Sequence, residues 1–317
     1  MEKRKLGSSG LEIAPLVFGC NVFGWTVDEP TAFILLDEFV SAGFTMIDTA
    51  DVYGRRTPQE AGGTSEEIIG KWLKKTKLRT SVILATKVGM EVEPGKKGLS
   101  KRHILQSAED SLRRLQTDCI DLYQSHSDDP ETPMEETLEA YALLIKQGKI
   151  RAIGASNFNA ERLSQALDLS ARGGFPRYQS LQPWYNLYNR AEFEKNLEPV
   201  CNANSLGVIT YFSLAAGFLT GKYRSEMDLS KSPRGKMVRE YMNERGFRIL
   251  RALDMVAHDY STDPASVALA WLLSRPGITA PIASATSKDQ MKTLMKATRI
   301  ELDRPSREFL TEASAYE

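Results

Sequence analysis

Short apolar runs alternate with longer amphipathic segments along most of this chain, and this alternation constrains the fold more than any other feature. The apolar runs have the length of buried parallel strands, and the segments between them carry apolar residues at helical spacing. Short loops join the two kinds of segment, as in a parallel sheet with helical crossovers. Eight such units predict an α/β fold that closes as a (β/α)8 TIM barrel, and a doubly wound open sheet is the weaker alternative.

The predicted boundaries follow from apolar periodicity and from Gly, Pro and N-cap signals. Strands are predicted at residues 15–19, 44–48, 82–87, 120–124, 150–155, 180–182, 208–211 and 279–282. Helices are predicted at residues 29–42, 65–75, 101–115, 134–146, 160–171, 192–204, 245–260, 264–273, 288–297 and 305–314. Within residues 3–13, Gly7-Ser8-Ser9-Gly10 joins two extended pieces and predicts a β-hairpin. No linker composition divides the chain, so residues 1–317 are predicted to form one domain.

Two segments interrupt this rhythm. Residues 54–63 form a polar loop with Arg55, Arg56 and Glu60. Residues 213–246, after the seventh strand, form a long polar loop with several basic side chains. Loops of that length in a compact domain are usually functional lids or disordered segments, so we predict a lid. An idle surface insertion is the alternative.

The charge balance and the cysteines limit the classes of partner. Lys+Arg 41 and Asp+Glu 41 cancel, which favours neither nucleic acid nor a membrane surface as partner. No apolar run approaches about 18 residues, so neither a signal peptide nor a membrane span is predicted. Cys20, Cys119 and Cys201 are far apart and odd in number, which predicts reduced thiols and a cytoplasmic location. The oligomeric state is left undetermined.

Four ionisable side chains fall at or just after the ends of three successive predicted strands. Asp48 ends the second strand and Tyr53 follows it, Lys87 ends the third, and His126 follows the fourth. Barrel enzymes keep their chemistry at this end of the strands. Taken singly, each has an ordinary explanation, such as a helix cap for Asp48 or a surface loop for Tyr53. Lys87 is the least ordinary, because an unpaired ammonium is costly to bury.

The motifs around these residues follow one another in a specific order and spacing. They are Asp48-Thr49-Ala50 with Tyr53, Gly62-Gly63-Thr64-Ser65-Glu66, Thr86-Lys87, Asp121-Leu122-Tyr123 with His126, Gly154-Ala155-Ser156-Asn157-Phe158, Gln182-Pro183-Trp184-Tyr185-Asn186 and Leu219-Thr220-Gly221-Lys222-Tyr223. From Leu6 to about Gln290 the chain therefore resembles the aldo-keto reductase superfamily. The resemblance implies a barrel whose mouth is plugged by the N-terminal hairpin, and a nicotinamide dinucleotide bound without a Rossmann domain.

The resemblance also implies how the four residues divide the reduction of an aldehyde or ketone. Tyr53 would donate the proton, but a free phenol has a pKa of about 10 and is a poor acid near neutrality. The Lys87 ammonium would lower that pKa by stabilising the phenolate. Asp48 would hold Lys87 in place, and His126 would orient the substrate carbonyl.

Cofactor contacts are implied by the same resemblance. Ser156, Asn157 and Gln182 would hold the nicotinamide carboxamide, and Tyr211 would stack on its ring. The other predicted cofactor-binding residues are Gly19, Asn21, Asp48, Phe212, Ser213, Leu214, Gly217, Lys222, Arg234, Ser284, Thr286, Lys288 and Gln290. Lys288 and Arg234 predict a preference for NADP(H), with NAD(H) as the alternative. The preference is weakened here, because relatives often carry Lys or Arg early in the adenosine segment, where this chain has Thr286-Ser287.

The predicted substrate-binding residues are Trp25, Tyr53, His126 and Trp184, which suit a small carbonyl compound or a sugar-like aldehyde. Ordinary packing is the alternative for the two tryptophans. Two other functions compete with carbonyl reduction. One is a nucleotide-binding regulatory subunit without turnover. The other is a metal-dependent hydrolase built on Asp48, His126, Asp128 and Asp129, which lacks the further histidines that such a site usually has. No metal site is predicted.

Overall fold

The computed structural model describes residues 2–55, 60 and 62–316. In these residues eight parallel strands close into a barrel in chain order, with the last strand pairing with the first. The strands are β3 (Val17–Gly19), β4 (Met46–Asp48), β5 (Ile83–Val88), β6 (Ile120–Ser125), β7 (Ile150–Ser156), β8 (Tyr178–Gln182), β9 (Gly207–Thr210) and β10 (Ile278–Ala283). The predicted (β/α)8 barrel is confirmed, and the open-sheet alternative is wrong.

Helices surround the barrel. They are α1 (Glu29–Ser41), α2 (Thr64–Thr76), α3 (Lys101–Leu115), α4 (Met134–Lys146), α5 (Ala160–Gly173), α6 (Glu198–Ala203), α7 (Gly235–Val238), α8 (Glu244–Asp259), α9 (Pro264–Leu273), α10 (Lys288–Lys296) and α11 (Arg304–Ala313). All but two begin within one residue of their predicted positions. The exceptions are α6, which follows a π-helical segment at Phe193–Leu197, and α7, which was not predicted. Ser100 caps α3, since its side chain accepts a hydrogen bond from the His103 amide. Within the described part of the chain, every helix is too short or too polar to cross a bilayer.

The predicted N-terminal hairpin is present and covers one end of the barrel. Strands β1 (Arg4–Lys5) and β2 (Glu12–Ile13) pair antiparallel. Leu6, Leu11 and Ile13 are buried in one apolar cluster with side chains from the barrel strands. Gly7 has φ +57°, and a Cβ there would overlap the Gln179 carbonyl oxygen. The hairpin turn therefore packs so closely on the barrel that only glycine fits.

Residues 213–246, which we call the strap, contain more regular structure and more buried side chains than the long polar loop predicted. The strap contains 3₁₀ turns at Ala215–Thr220, Glu226–Lys231 and Arg239–Tyr241 in addition to α7. Its buried anchors are Phe218, Leu219, Tyr223, Val238 and Tyr241. These scattered apolar residues have no helical or strand period, so the sequence pattern did not reveal that they pack. Arg56 of the other interrupting loop lies outside the described residues.

Candidate active site

The carboxyl ends of β4, β5 and β6 lie side by side, and this brings Asp48 to Lys87. The strand register pairs Asp48 with Ala85 and Lys87 with Gln124. The Lys87 ammonium donates to Asp48 Oδ2 at 2.6 Å, to the Thr49 carbonyl at 2.7 Å and to the Tyr53 hydroxyl at 3.3 Å. A lysine has three N–H donors and no acceptor, so the Tyr53 oxygen accepts and its own proton is directed elsewhere.

The second oxygen of Asp48 is held as firmly as the first. Asp48 Oδ1 accepts hydrogen bonds from the side-chain amides of Gln124 and Gln182, each at 3.0 Å. Asp48 and Lys87 are both buried. A buried ion pair is stable only when its remaining hydrogen-bonding groups are satisfied, and these amides satisfy the carboxylate. The arrangement therefore holds the Lys87 ammonium at one position beside the phenol.

The pKa of Tyr53 differs from the sequence-based expectation. Burial raises the pKa of the phenol, the Lys87 ammonium lowers it, and the Asp48 carboxylate raises it again, leaving it above the ordinary value. The expected net lowering is therefore wrong, although Lys87 acts in the expected direction. For Lys87, burial lowers the pKa, but Asp48 and Tyr53 together raise it above its ordinary value. At neutral pH the site thus holds a protonated phenol beside a charged ammonium.

His126 lies edge-on to Tyr53, with the ring centroids 5.6 Å apart. The His126 amide donates to the Val88 carbonyl at 2.8 Å, and the Asn157 side-chain amide donates to the His126 carbonyl at 2.7 Å. Burial, followed by the nearby Lys87 charge, holds the pKa of the imidazole well below its ordinary value. Nδ1 is buried and has no hydrogen-bond partner among the described residues. A neutral imidazole placed here can hydrogen-bond a ligand oxygen without adding a charge.

A cleft of about 1130 Å³ opens above Tyr53 and His126 and extends to the start of α10. Its lining includes these predicted residues: Gly19, Asn21, Trp25, Asp48, Tyr53, His126, Ser156, Asn157, Gln182, Tyr211, Phe212, Ser213, Leu214, Gly217, Lys222, Arg234, Ser284, Thr286 and Gln290. Residues predicted from seven separate strand ends and from the strap therefore share one cleft.

Three predicted residues lie outside this lining. Lys87 is buried behind Tyr53. Trp184 packs beside the cleft, with its ring 5.4 Å from the ring of Phe212, and is 39% exposed. The Lys288 ammonium lies 3.9 Å from the Glu38 carboxylate of α1, and its side chain is 56% exposed.

Parts of the cleft could hold a phosphate-bearing ligand. A Cβ at Gly19 would lie 2.9 Å from both Ile282 and Ser284, so the backbone there borders the cleft without a side chain. The backbone has positive φ at Phe212, directly before the strap, and at Ala215 and Ala216 within it. Such strained non-glycine residues cluster at ligand sites, and their amides can form concave anion-binding surfaces. Arg234 Nη2 is buried without a partner in the described ranges, which suits a phosphate acceptor.

Comparison with known proteins agrees with this geometry. A sequence model of the aldo/keto reductase family matches residues 15–314. The chain belongs to the aldo/keto reductase family. It is 34% identical to an uncharacterized oxidoreductase, YrpG, of Bacillus subtilis, over 96% of this chain and 93% of the relative. It is also 34% identical to the aldo-keto reductase YhdN of Bacillus subtilis, over 94% of this chain and 89% of the relative.

A third relative has a different kind of name. The chain is 31% identical to a probable voltage-gated potassium channel subunit beta of Oryza sativa, over 94% of this chain and 91% of the relative. Membership in the aldo/keto reductase family makes the general class of activity carbonyl reduction by an oxidoreductase. Among residues 2–55, 60 and 62–316, no group of three or more His, Cys, Asp or Glu side chains is arranged to hold a metal ion.

Several residues of this aldo/keto reductase site were missed from the sequence. Met90 lines the cleft two residues after β5. It could have been predicted, because residues that follow the strands of a barrel line its active site. Gln124 holds Asp48, but a glutamine inside a strand gives no signal of such a contact. Asp263 also lines the cleft while capping α9 through the Ser266 amide. Its capping role is the ordinary explanation that a sequence supports.

Proposed function

We propose that this chain reduces small aldehydes or ketones to alcohols with NAD(P)H, and that Tyr53 is the general acid. The observation that carries the proposal is the hydrogen bond from the buried, charged Lys87 to the Tyr53 oxygen, at the end of a cleft that could hold a phosphate-bearing ligand. A nicotinamide dinucleotide supplies hydride when it is bound. The residues of the chain must then protonate the carbonyl oxygen and stabilise the charge that develops there.

Each residue of the site has one role in this proposal. Tyr53 transfers its proton to the substrate oxygen as the C–O π bond is lost. Lys87 then stabilises the phenolate that remains, at 3.3 Å in the starting arrangement. Asp48 keeps Lys87 charged and in place. His126 donates a hydrogen bond to the carbonyl oxygen and orients it, which its neutral state allows without repelling Lys87.

The proposed substrates are small carbonyl compounds or sugar-like aldehydes. Trp25 and Met90 line the cleft, and each is 37% exposed. Exposed apolar side chains at the mouth of a cleft are typical of ligand contacts. Trp184 adds a third exposed apolar side chain nearby. A cytoplasmic location remains a prediction from the three cysteines.

The test is turnover of a carbonyl panel by the purified protein. Aliphatic aldehydes, aromatic aldehydes and sugar aldehydes would each be supplied with NADPH and, separately, with NADH, and cofactor oxidation would be followed by absorbance. We expect oxidation that depends on the carbonyl compound. The second candidate is a nucleotide-binding regulatory subunit, which the name of the potassium-channel relative suggests. Tight cofactor binding without oxidation by any member of the panel would favour that candidate.

We expect NADPH to bind more tightly than NADH, and Arg234 to contribute more to the difference than Lys288. Arg234 has a buried N–H without a partner among the described residues, whereas Lys288 is exposed and faces Glu38. A charge-assisted contact to the 2′-phosphate is worth roughly 1.5–3 kcal/mol, or about tenfold or more in affinity. Fluorescence titration of the wild type, Arg234→Met and Lys288→Ala with both cofactors measures the ratio. Equal affinities in the wild type, unchanged in both variants, would exclude this assignment.

We expect the strap to close over bound cofactor and to open without it. Ala216, which has positive φ, and the cations Lys222 and Arg234 line the cleft, so phosphate binding should favour the closed arrangement. Limited proteolysis with and without NADP(H) tests this, and protection should centre on residues 213–246. In Arg224→Met, which loses the two hydrogen bonds to Asp254 of α8, cleavage without cofactor should be faster. Equal cleavage of the wild type in both states would count against a lid.

A further inference from the structure

The Asp51 carboxyl group is buried in the loop that also carries Tyr53, and the proposed mechanism does not use it. The side chain is 1% exposed, and neither carboxyl oxygen has a hydrogen-bond partner among the described residues. The Asp51 amide donates to the Lys87 carbonyl at 3.3 Å, so the residue is attached directly to the strand that carries the ammonium. A buried carboxylate without partners is among the least stable groups that a protein interior can contain.

Counting the buried charges shows that one carboxyl group has no counterion. Asp48, Asp51 and Glu66 are all buried, whereas Lys87 and Arg114 are the cations that act on Asp51. Lys87 is committed to Asp48 at 2.6 Å, and Arg114 is committed to Glu66 at 2.7 Å. Three carboxyl groups therefore face two cations, and the two ion pairs leave Asp51 as the surplus group.

The groups that face Asp51 come from every neighbouring element. Glu66 lies on α2, Arg114 on α3, Lys87 on β5, and the hydroxyl-bearing Tyr123 and Tyr141 on β6 and α4. Burial and the Glu66 carboxylate raise the pKa of Asp51 well above its ordinary value, and Arg114, Lys87 and the Val52 amide lower it by less. The Tyr123 hydroxyl is buried and, like Asp51, has no partner in the part of the chain that the structure describes.

We propose that Asp51 is a positioning residue that acts on Tyr53 and is held near it as a neutral carboxylic acid. When Asp51 ionises, its negative charge opposes the positive charge of Lys87 and so keeps Tyr53 in its acid form. The inference rests on the proposed reductase function. An ionised Asp51 raises the pKa of Tyr53, in the direction opposite to Lys87. As the pH rises through the ionisation of Asp51, the phenol thus becomes harder to deprotonate. Reduction, which needs the phenol, is then retained to higher pH, and alcohol oxidation, which needs the phenolate, begins later.

The raised pKa of Asp51 also lowers the stability of the folded protein as the pH rises. In the unfolded chain an Asp carboxyl group titrates near about 3.9. Because the folded-state pKa is higher, the stability associated with Asp51 is fully present below about pH 4 and is lost as the pH rises through the folded-state value. Asp51→Asn, which is neutral at every pH, should therefore unfold at a higher urea concentration than the wild type near neutral pH. The two midpoints should converge near about pH 4.

The experiment compares the wild type, Asp51→Asn and Glu66→Gln. Infrared spectroscopy of the wild type should show the C=O band of a protonated carboxylic acid, and Asp51→Asn should lack it. Glu66→Gln removes the competitor for Arg114, so Asp51 should ionise and the band should disappear at neutral pH. In alcohol oxidation, the rising limb of kcat/KM against pH should move to lower pH in Asp51→Asn, because the phenol then ionises more easily.

Two results would overturn the proposal. The first is a wild-type protein without a protonated-carboxyl band, together with a difference in unfolding midpoint that does not depend on pH. The second is a rising limb of the oxidation kcat/KM that stays at the same pH in Asp51→Asn although the C=O band is lost. In that case Asp51 would not act on Tyr53. The infrared and unfolding measurements require no turnover. A failure of the proposed function would therefore appear as absent cofactor oxidation while the ionisation of Asp51 was still decided.

Discussion

Tyr53→Phe should abolish nearly all carbonyl reduction while leaving cofactor affinity almost unchanged. The substitution removes the only group that the proposal uses to protonate the substrate oxygen, and it removes the hydroxyl held at 3.3 Å by Lys87. Loss of a positioned general acid lowers the rate by about 10²–10⁴-fold. The loss is greater if the developing oxyanion is left unassisted. Steady-state kinetics gives kcat, and fluorescence titration gives the cofactor Kd.

Tyr123→Phe is the matched control for this substitution. Tyr123 is also a buried tyrosine near the site, and its hydroxyl has no partner among the described residues. Removing that hydroxyl should change kcat little, because it contacts no group of the proposed mechanism. If Tyr53→Phe kept a kcat within a few-fold of the wild type, Tyr53 would not be the general acid. If both variants lost activity equally, the loss would reflect packing and not chemistry.

Lys87→Met should remove most turnover and also destabilise the fold. Methionine has a similar length but no charge, so the phenolate form of Tyr53 loses its stabilising ammonium. It also leaves the buried Asp48 carboxylate without a cation, although the amides of Gln124 and Gln182 remain bound to its other oxygen. Breaking one partner of a buried ion pair costs roughly 3–5 kcal/mol. Urea unfolding measures the stability, and cofactor absorbance measures the rate.

A second substitution separates these two effects of Lys87→Met. Adding Asp48→Asn removes the uncompensated charge, so much of the lost stability should return while turnover stays low. Recovery of activity together with stability would mean that Lys87 acts only through folding. A further cycle combines Tyr53→Phe with Lys87→Met, which should be little slower than either single variant because the two residues act as one unit. Additive losses would show that they work independently.

The sequence determined the barrel and the location of the candidate site for one physical reason. In a closed parallel barrel all strands end at the same rim, so residues that follow different strands must meet there. Asp48, Lys87 and His126 follow separate apolar runs that the sequence shows directly. Their meeting therefore needed only the strand assignment. The resemblance of the motifs supplied the roles, and those roles remain proposals.

The strand assignment does not predict in which direction a side chain points or which residue it contacts. Lys288 begins α10 as predicted, but its ammonium faces Glu38 of α1, a residue 250 positions earlier in the chain. Gln124 reaches Asp48 because barrel strands converge, and no sequence pattern marks that contact. The strap acquires its turns from buried anchors such as Phe218 and Tyr241, which have no regular spacing. Each case depends on contacts between residues distant in sequence.

Asp51 and Tyr53, in one short loop, show which properties the sequence determines and which depend on the tertiary structure. The sequence by itself determined that both residues follow a strand end, because the chain order and the apolar run before them are local properties. Only the tertiary structure decided that burial outweighs Lys87 in setting the pKa of Tyr53, and that Asp51 is left without a counterion. Burial and charge pairing depend on α2, α3 and β6 packing around the loop, and those neighbours are brought together only by the closed barrel.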